Sequence, residues 1–180
     1  MATALYVTVG VAVLIALSVA LYKRLKVFLR FRGTMLVTCP ENQKPAGVAV
    51  DAAFAARTTT ARAPQLRLKE CTRWPERENC GQECLQQVEA SPESCLVRIL
   101  LTDWYRNKKC VYCHKEFGDI FWHDHKPVLL NAECKTVEWQ EVPVETLPEV
   151  FETHLPVCWN CHIAETFRRE HPDLVTDRPQ

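Results

Sequence analysis

The chain has 180 residues, which is enough for one or two small domains. Its 22 basic and 22 acidic residues give a formal net charge of zero, and this balance argues against nucleic-acid binding, which needs a basic surface. Ten cysteines point instead to disulfide, metal or redox chemistry, and the cellular compartment decides among these three.

The N-terminal residues predict a transmembrane helix. Residues 4–22 read ALYVTVGVAVLIALSVALY and carry no charge. A helix of about 20 apolar residues crosses the roughly 30 Å hydrocarbon core of a bilayer, so we assign residues 1–22 to a single span. A buried core helix would need a large domain around it. A cleaved signal peptide would carry basic residues before the apolar stretch, and none stands there.

A basic juxtamembrane segment, residues 23–34, follows this span. Its cations are Lys23, Arg24, Lys26, Arg30 and Arg32. The positive-inside rule therefore predicts that the rest of the chain lies in the cytosol. Apolar residues alternate with these cations. Such a segment fits either a helix lying along the anionic inner leaflet or an ordinary helical extension with a solvated face.

Residues 35–106 predict an α+β subdomain that contains five cysteines. The predicted elements are, in chain order, a strand from Met35, a strand over 47–50, a loop or short helix over 52–64, a third strand ending near Cys71, a helix over 81–89 and a helix from Ser91 to about Tyr105. Ser91 is the expected N-cap of the last helix, with Pro92 at its first position.

Two Cys-x-x-Cys pairs characterise the second predicted subdomain, residues 107–174, which leaves a tail over 175–180. The pairs are Cys110/Cys113 and Cys158/Cys161. The first pair precedes a predicted hairpin, and the second pair opens a predicted helix, whose free amides and dipole favour thiolate over thiol. Four thiolates suit Zn²⁺ in a closed tetrahedral site.

Knuckle, hairpin and helix in this order resemble the treble-clef class of zinc fingers. The resemblance covers residues 110–171 and implies a structural zinc ion on Cys110, Cys113, Cys158 and Cys161. The stretch between the pairs is longer than in the most compact members of that class. We therefore expect an insertion at about 142–157.

A haem alternative follows from the histidine after each pair, because Cys-x-x-Cys-His is also the attachment motif of c-type haem. In this respect the chain resembles membrane-anchored dihaem cytochromes, which implies electron transfer on the outer side of the membrane. The iron ligands would be His114 and His162, with distal ligands from His123, His125, His154 or His171. The cations after the span, and the small core that about 70 residues offer to two haems, argue against this alternative.

The upstream cysteines are candidates for a second metal site. Its proposed ligands are Cys39, Cys71, Cys80 and Cys84. Zinc or an iron–sulfur cluster suits four thiolates, whereas the competing interpretation is a set of buried thiols that act as small apolar residues. Cys95 is a substitute ligand, and Cys134 is expected to be free. His123 and His125 alternate on a predicted strand, but a polar hairpin edge is the favoured interpretation there because no third ligand is evident.

The sequence does not predict an enzyme, since it contains neither a nucleophile elbow nor a His-Glu-x-x-His motif. The expected function is that of a membrane-anchored, metal-binding accessory module that docks a protein partner, with Trp74, Trp104 and Trp159 as exposed anchors. The alternatives are the dihaem electron carrier and an iron–sulfur or thiol redox sensor.

Overall fold

The computed structural model describes residues 2–59, 63–77, 79–120, 122, 126 and 128–174. The chain forms two compact units, Met1–Leu96 and Val97–Gln180. Each unit combines helices with a three-stranded antiparallel sheet, so the α+β prediction is confirmed.

The first unit begins with one long helix, α1, over Ala2–Phe31. Its segment Tyr6–Phe31 is long and apolar enough to cross a membrane, and none of its most apolar window is buried inside the protein. The helix continues through Lys23, Arg24, Lys26 and Arg30, so most of the predicted juxtamembrane segment extends it, whereas Arg32 lies beyond its end. Gly33 follows with a φ of +124°, a conformation that L side chains rarely adopt and glycine tolerates.

The first sheet has the strand order β1-β2-β3, with β1 over Thr34–Thr38, β2 over Pro45–Val50 and β3 over Leu68–Cys71. Alternation along β1 buries Met35 and Val37. The three strands predicted for this part of the chain are confirmed. Residues of the predicted loop or short helix form α2, Ala52–Thr58. Asp51 caps α2, because its Oδ1 accepts a hydrogen bond from the Phe54 amide at 2.9 Å.

The predicted helix from Ser91 to Tyr105 is wrong, because the chain breaks it at Leu96. The observed helices are α3 over Leu85–Ala90, α4 over Pro92–Cys95 and α5 over Val97–Tyr105. Leu96 is extended, pairs with Met35 as an isolated β-bridge and is only 2% exposed. The burial of the Leu96 side chain beside β1 therefore interrupts the helix between α4 and α5. The Ser91 side chain makes no capping hydrogen bond.

The second sheet has the order β5-β4-β6, with β4 over Val128–Leu130 in the centre. The predicted hairpin is confirmed as β4 with β5, Thr136–Glu138, while the predicted insertion contributes α6, Leu147–Thr153, and the third strand β6, Leu155–Val157. Helix α7, Trp159–Glu170, follows β6 directly.

The core of the second unit centres on Tyr105, which is almost fully buried. Its hydroxyl donates to the carbonyl of Val128 at 2.6 Å, which ties α5 to the central strand. Burial raises the pKa of Tyr105, so the hydroxyl stays neutral and keeps its proton for this bond. Leu129 and Leu147 are fully or almost fully buried in the same unit.

Candidate metal centre

The first cysteine pair lies on a tight knuckle just after α5. The Cys110 amide donates to the Lys115 carbonyl at 2.9 Å, and the His114 amide donates back to the Cys110 carbonyl at the same distance. His114 has a φ of +56°, which closes the turn. The knuckle thereby holds the thiols of Cys110 and Cys113 on one side of a short, self-bonded loop.

The second pair lies where β6 ends and α7 begins. Cys158 is the residue before α7, and Cys161 lies in its first turn. Two hydrogen bonds from backbone amides bring the knuckle to this point. The Val111 amide donates to the Pro156 carbonyl at 3.0 Å, and the Cys158 amide donates to the Cys110 sulfur at 3.3 Å. The two pairs, distant in sequence, therefore meet at the same place.

The four sulfur atoms of these pairs all lie within 4.8 Å of one another. Cys110 is fully buried and the other three cysteines are partly buried. The Cys113 and Cys158 sulfurs are 3.7 Å apart. A zinc ion bound to sulfur at about 2.3 Å in a tetrahedron requires sulfur–sulfur distances of about 3.8 Å. The four cysteines are therefore arranged to bind a metal ion.

An apolar shell surrounds this cysteine group. Val128, Leu130 and Val157 are buried against it. Partly buried Phe117 and Trp159 complete the packing. Because this shell excludes water, a charged thiolate there needs either a cation or several hydrogen-bond donors to compensate for its lost hydration.

Burial and neighbouring groups shift the pKa of three of these thiols, Cys110, Cys158 and Cys161. Burial alone would raise the pKa of Cys110, but the backbone amides of Cys113, Cys158 and Tyr112 lower it to about 7. For Cys161, burial and the neighbouring sulfurs together raise the pKa. Burial also raises the pKa of Cys158. A divalent cation among the sulfurs would reverse both increases, since it stabilises every thiolate it contacts.

The described histidines lie outside the sulfur group. His114 is exposed, the Nδ1 of His162 is 2.8 Å from the Thr136 hydroxyl, and His154 contacts the neighbouring Thr153 hydroxyl at 2.9 Å. His171 packs on the ring of Phe167. His123 and His125 lie outside the described residues. They are the candidates for chelation from one strand and for distal haem ligation.

The upstream cysteines line one cavity in the first unit. The residues predicted as a second site, Cys39, Cys71, Cys80 and Cys84, all face this cavity. The guanidinium of Arg73 donates to the Cys39 sulfur at 2.7 Å, a contact that the sequence did not predict. The position of Arg73 two residues after Cys71 is the feature that could have indicated it. Cys95 is buried beside the Gln87 carbonyl and does not line the cavity, and Cys134 is exposed.

The three tryptophans expected as exposed anchors are all partly buried. Trp104 stacks on Phe151 and donates its indole N–H to the carbonyl of that residue at 2.9 Å. The exposed large apolar side chains of this unit include Ile163 and Phe167 on α7, which are 50% and 48% exposed.

The chain was compared with protein-family models, with curated protein sequences and with solved structures, and it matches none of them significantly. The residues themselves therefore carry the functional interpretation.

Proposed function

We propose that this chain is a membrane-anchored zinc protein whose second unit is a structural four-cysteine zinc module that docks a protein partner. The observation that carries the proposal is the convergence of Cys110, Cys113, Cys158 and Cys161, with a sulfur–sulfur distance of 3.7 Å between the two pairs. A single tetrahedral ion accounts for this distance.

Zinc is the metal that this donor set suits best. Four thiolates are soft ligands, they complete a tetrahedron, and they leave no open position for a substrate or water molecule. A closed site of this kind stabilises a fold and does not catalyse a reaction. The order of knuckle, β4–β5 hairpin and α7 agrees with the treble-clef resemblance, with α6 and β6 as the insertion.

The distance between the pairs favours one shared ion over two covalent haems. Each haem would need its own Cys-x-x-Cys pair at the edge of a separate porphyrin, whereas the Cys113 and Cys158 sulfurs approach to 3.7 Å. The motif histidines agree with this interpretation, because His114 is exposed and the His162 ring contacts Thr136.

Helix α1 supplies the proposed membrane anchor, and the cations that follow the apolar span support a cytosolic location of the remaining chain by the positive-inside rule. Cytosolic thiols remain reduced, which keeps them free to bind metal. A reporter enzyme fused after residue 180 tests the orientation. Activity of the reporter only on the outer side would overturn this part of the proposal.

The proposed docking surface is the exposed face of α7. Ile163 and Phe167 are one helical turn apart and about half exposed, as expected of a helix that presents apolar anchors to a groove. The metal would fix the first turn of this helix and hence the position of both side chains. We expect a photo-crosslinker at residue 167 to capture one defined protein in native membranes. The same crosslinker at residue 169 is the matched control.

Metal analysis of the full-length protein, purified in detergent, tests the zinc assignment. We expect bound zinc in the wild-type protein, loss of one zinc in Cys113→Ser, and retention of that zinc in the matched variant Cys134→Ser. A Soret band that persists after denaturation would show covalent haem and overturn the proposal.

A further inference from the structure

The first unit contains a cavity of about 250 Å³ that is separate from the four-cysteine group described above. Four thiols line it: Cys39, Cys71, Cys80 and Cys84. Cys39 follows β1, Cys71 ends β3 and Cys84 precedes α3, so they come from three different parts of the fold. Buried thiols that act only as apolar fillers pack against other side chains, whereas these four surround a space.

Local backbone geometry holds these thiols in place. The Cys39 amide donates to the Lys44 carbonyl at 2.9 Å, which closes the turn between β1 and β2. The Cys80 sulfur accepts a hydrogen bond from the Gln82 amide at 3.4 Å, and the Gln82 side chain accepts one from the Leu68 amide at 2.8 Å. The loop that carries Cys80 is thus fastened to β3.

Arg73 brings a positive charge to the wall of the same cavity. One of its guanidinium nitrogens donates to the Cys39 sulfur at 2.7 Å and lies 3.4 Å from the Glu41 carboxylate. Its Nε is buried and has no hydrogen-bond partner among the residues that the structure describes. A buried, unpaired N–H is costly unless a further acceptor is present, so Arg73 has an unused donor for a group with acceptor atoms.

The spacing of the sulfurs distinguishes this cavity from the first centre. A single zinc ion requires sulfur–sulfur distances of about 3.8 Å. Within the described residues, the group formed by the two Cys-x-x-Cys pairs is the one that brings three or more candidate ligand atoms within 4.8 Å of one another. The upstream sulfurs are therefore spread around a larger space, which suits an inorganic group larger than one ion.

We infer that Cys39, Cys71, Cys80 and Cys84 hold an iron–sulfur cluster. Four cysteine thiolates are the ordinary ligand set of [2Fe–2S] and [4Fe–4S] clusters. The Arg73 Nε would then donate to the anionic cluster, and the other guanidinium nitrogen would keep its bond to the Cys39 sulfur. A positive charge and N–H donors beside cluster sulfurs stabilise the reduced state and raise the reduction potential.

The test is iron and acid-labile sulfide analysis of the full-length protein, purified anaerobically in detergent, together with its visible absorption spectrum. We expect iron and sulfide in equal amounts, and a broad visible absorption that bleaches when dithionite adds one electron to the cluster. Both signals should disappear in Cys71→Ser and persist in Cys110→Ser, which removes a ligand of the first centre only. A protein with zinc but no iron at the upstream cysteines, or with no metal there, would overturn the inference.

Arg73→Gln provides a readout that does not depend on removing a ligand. We expect this variant to retain the cluster but to show a lower reduction potential than the wild-type protein, and Arg73→Lys to restore part of the difference. An unchanged potential in Arg73→Gln would contradict the assigned contact between the guanidinium and the cluster. A wild-type protein that contains iron and sulfide but no zinc would reject the proposed function and would leave this inference unaffected.

Discussion

Replacing Cys113 by serine tests whether a bound metal ion stabilises the second unit. The substitution keeps the size of the side chain but removes one of the four thiolates that lie within 4.8 Å of one another. We expect the variant to bind zinc much more weakly and to lose the ordered contact between the knuckle and the start of α7.

The expected size of the effect follows from the small core of this unit. Structural zinc contributes about 10–16 kcal/mol of apparent binding free energy, which is comparable with the total stability of a small domain, about 5–15 kcal/mol. Changes in residues that only support a metal ligand weaken binding by about 10- to 100-fold. Removal of a ligand should exceed a factor of about 100, which corresponds to about 2.7 kcal/mol of folding free energy.

Thermal unfolding followed by tryptophan fluorescence measures this loss, because Trp159 packs beside the cysteine group. The matched control is Cys134→Ser, since Cys134 is exposed and lies outside the group. We expect a zinc chelator to lower the Tm of the wild-type and control proteins but to leave Cys113→Ser almost unchanged. Equal Tm values for all three proteins before and after chelation would refute the reasoning that zinc stabilises this unit.

Three further outcomes can be measured. Tyr105→Phe removes the 2.6 Å hydrogen bond to β4 and should cost about 1–2 kcal/mol in urea unfolding, whereas Tyr112→Phe, at an exposed position, should cost almost nothing. Leu129→Ala should lower the free energy of unfolding by about 2–5 kcal/mol, because removal of the fully buried side chain leaves a cavity. Leu155→Ala is the exposed control, and a smaller loss of stability in Leu129→Ala than in this control would contradict the burial of Leu129. The Phe54 amide and Arg67 lower the pKa of Asp51 in the folded protein. The contribution of Asp51 to the free energy of unfolding is therefore present above the ordinary pKa of 3.8 and is lost as the pH falls through the lower folded value. Asp51→Asn should weaken this dependence of stability on acid pH, as measured by unfolding over a pH series.

Much of the fold could be predicted because local patterns and tertiary structure agree. The uncharged run over 4–22 predicts the apolar part of α1, and the hairpin predicted after the first cysteine pair is formed by β4 and β5. Leu96 is different. Helices α4 and α5 flank it on both sides, yet its side chain is buried beside β1 and the backbone there is extended. The backbone conformation of Leu96 depends on the position of the first sheet, which a local sequence pattern does not contain.

Strand β6 could not be predicted for a similar reason. Three residues with a central proline resemble a loop, because Pro156 has no amide to donate to a sheet. The strand forms at the edge of the sheet beside β4, where a proline is tolerated. Its position depends on a partner strand that lies 27 residues earlier in the chain, because Leu129 pairs with Pro156.

This unpredicted strand is what brings the two cysteine pairs together. The spacing within each pair suits either a shared metal ion or covalent haem attachment, and it does not say whether the two pairs share one ion. The bond between the Val111 amide and the Pro156 carbonyl places the knuckle on β6, and β6 leads directly to Cys158. The resulting distance of 3.7 Å between the Cys113 and Cys158 sulfurs matches one small ion. The upstream thiols surround a cavity instead of meeting at one point, so the same residue type favours a different occupant in each unit.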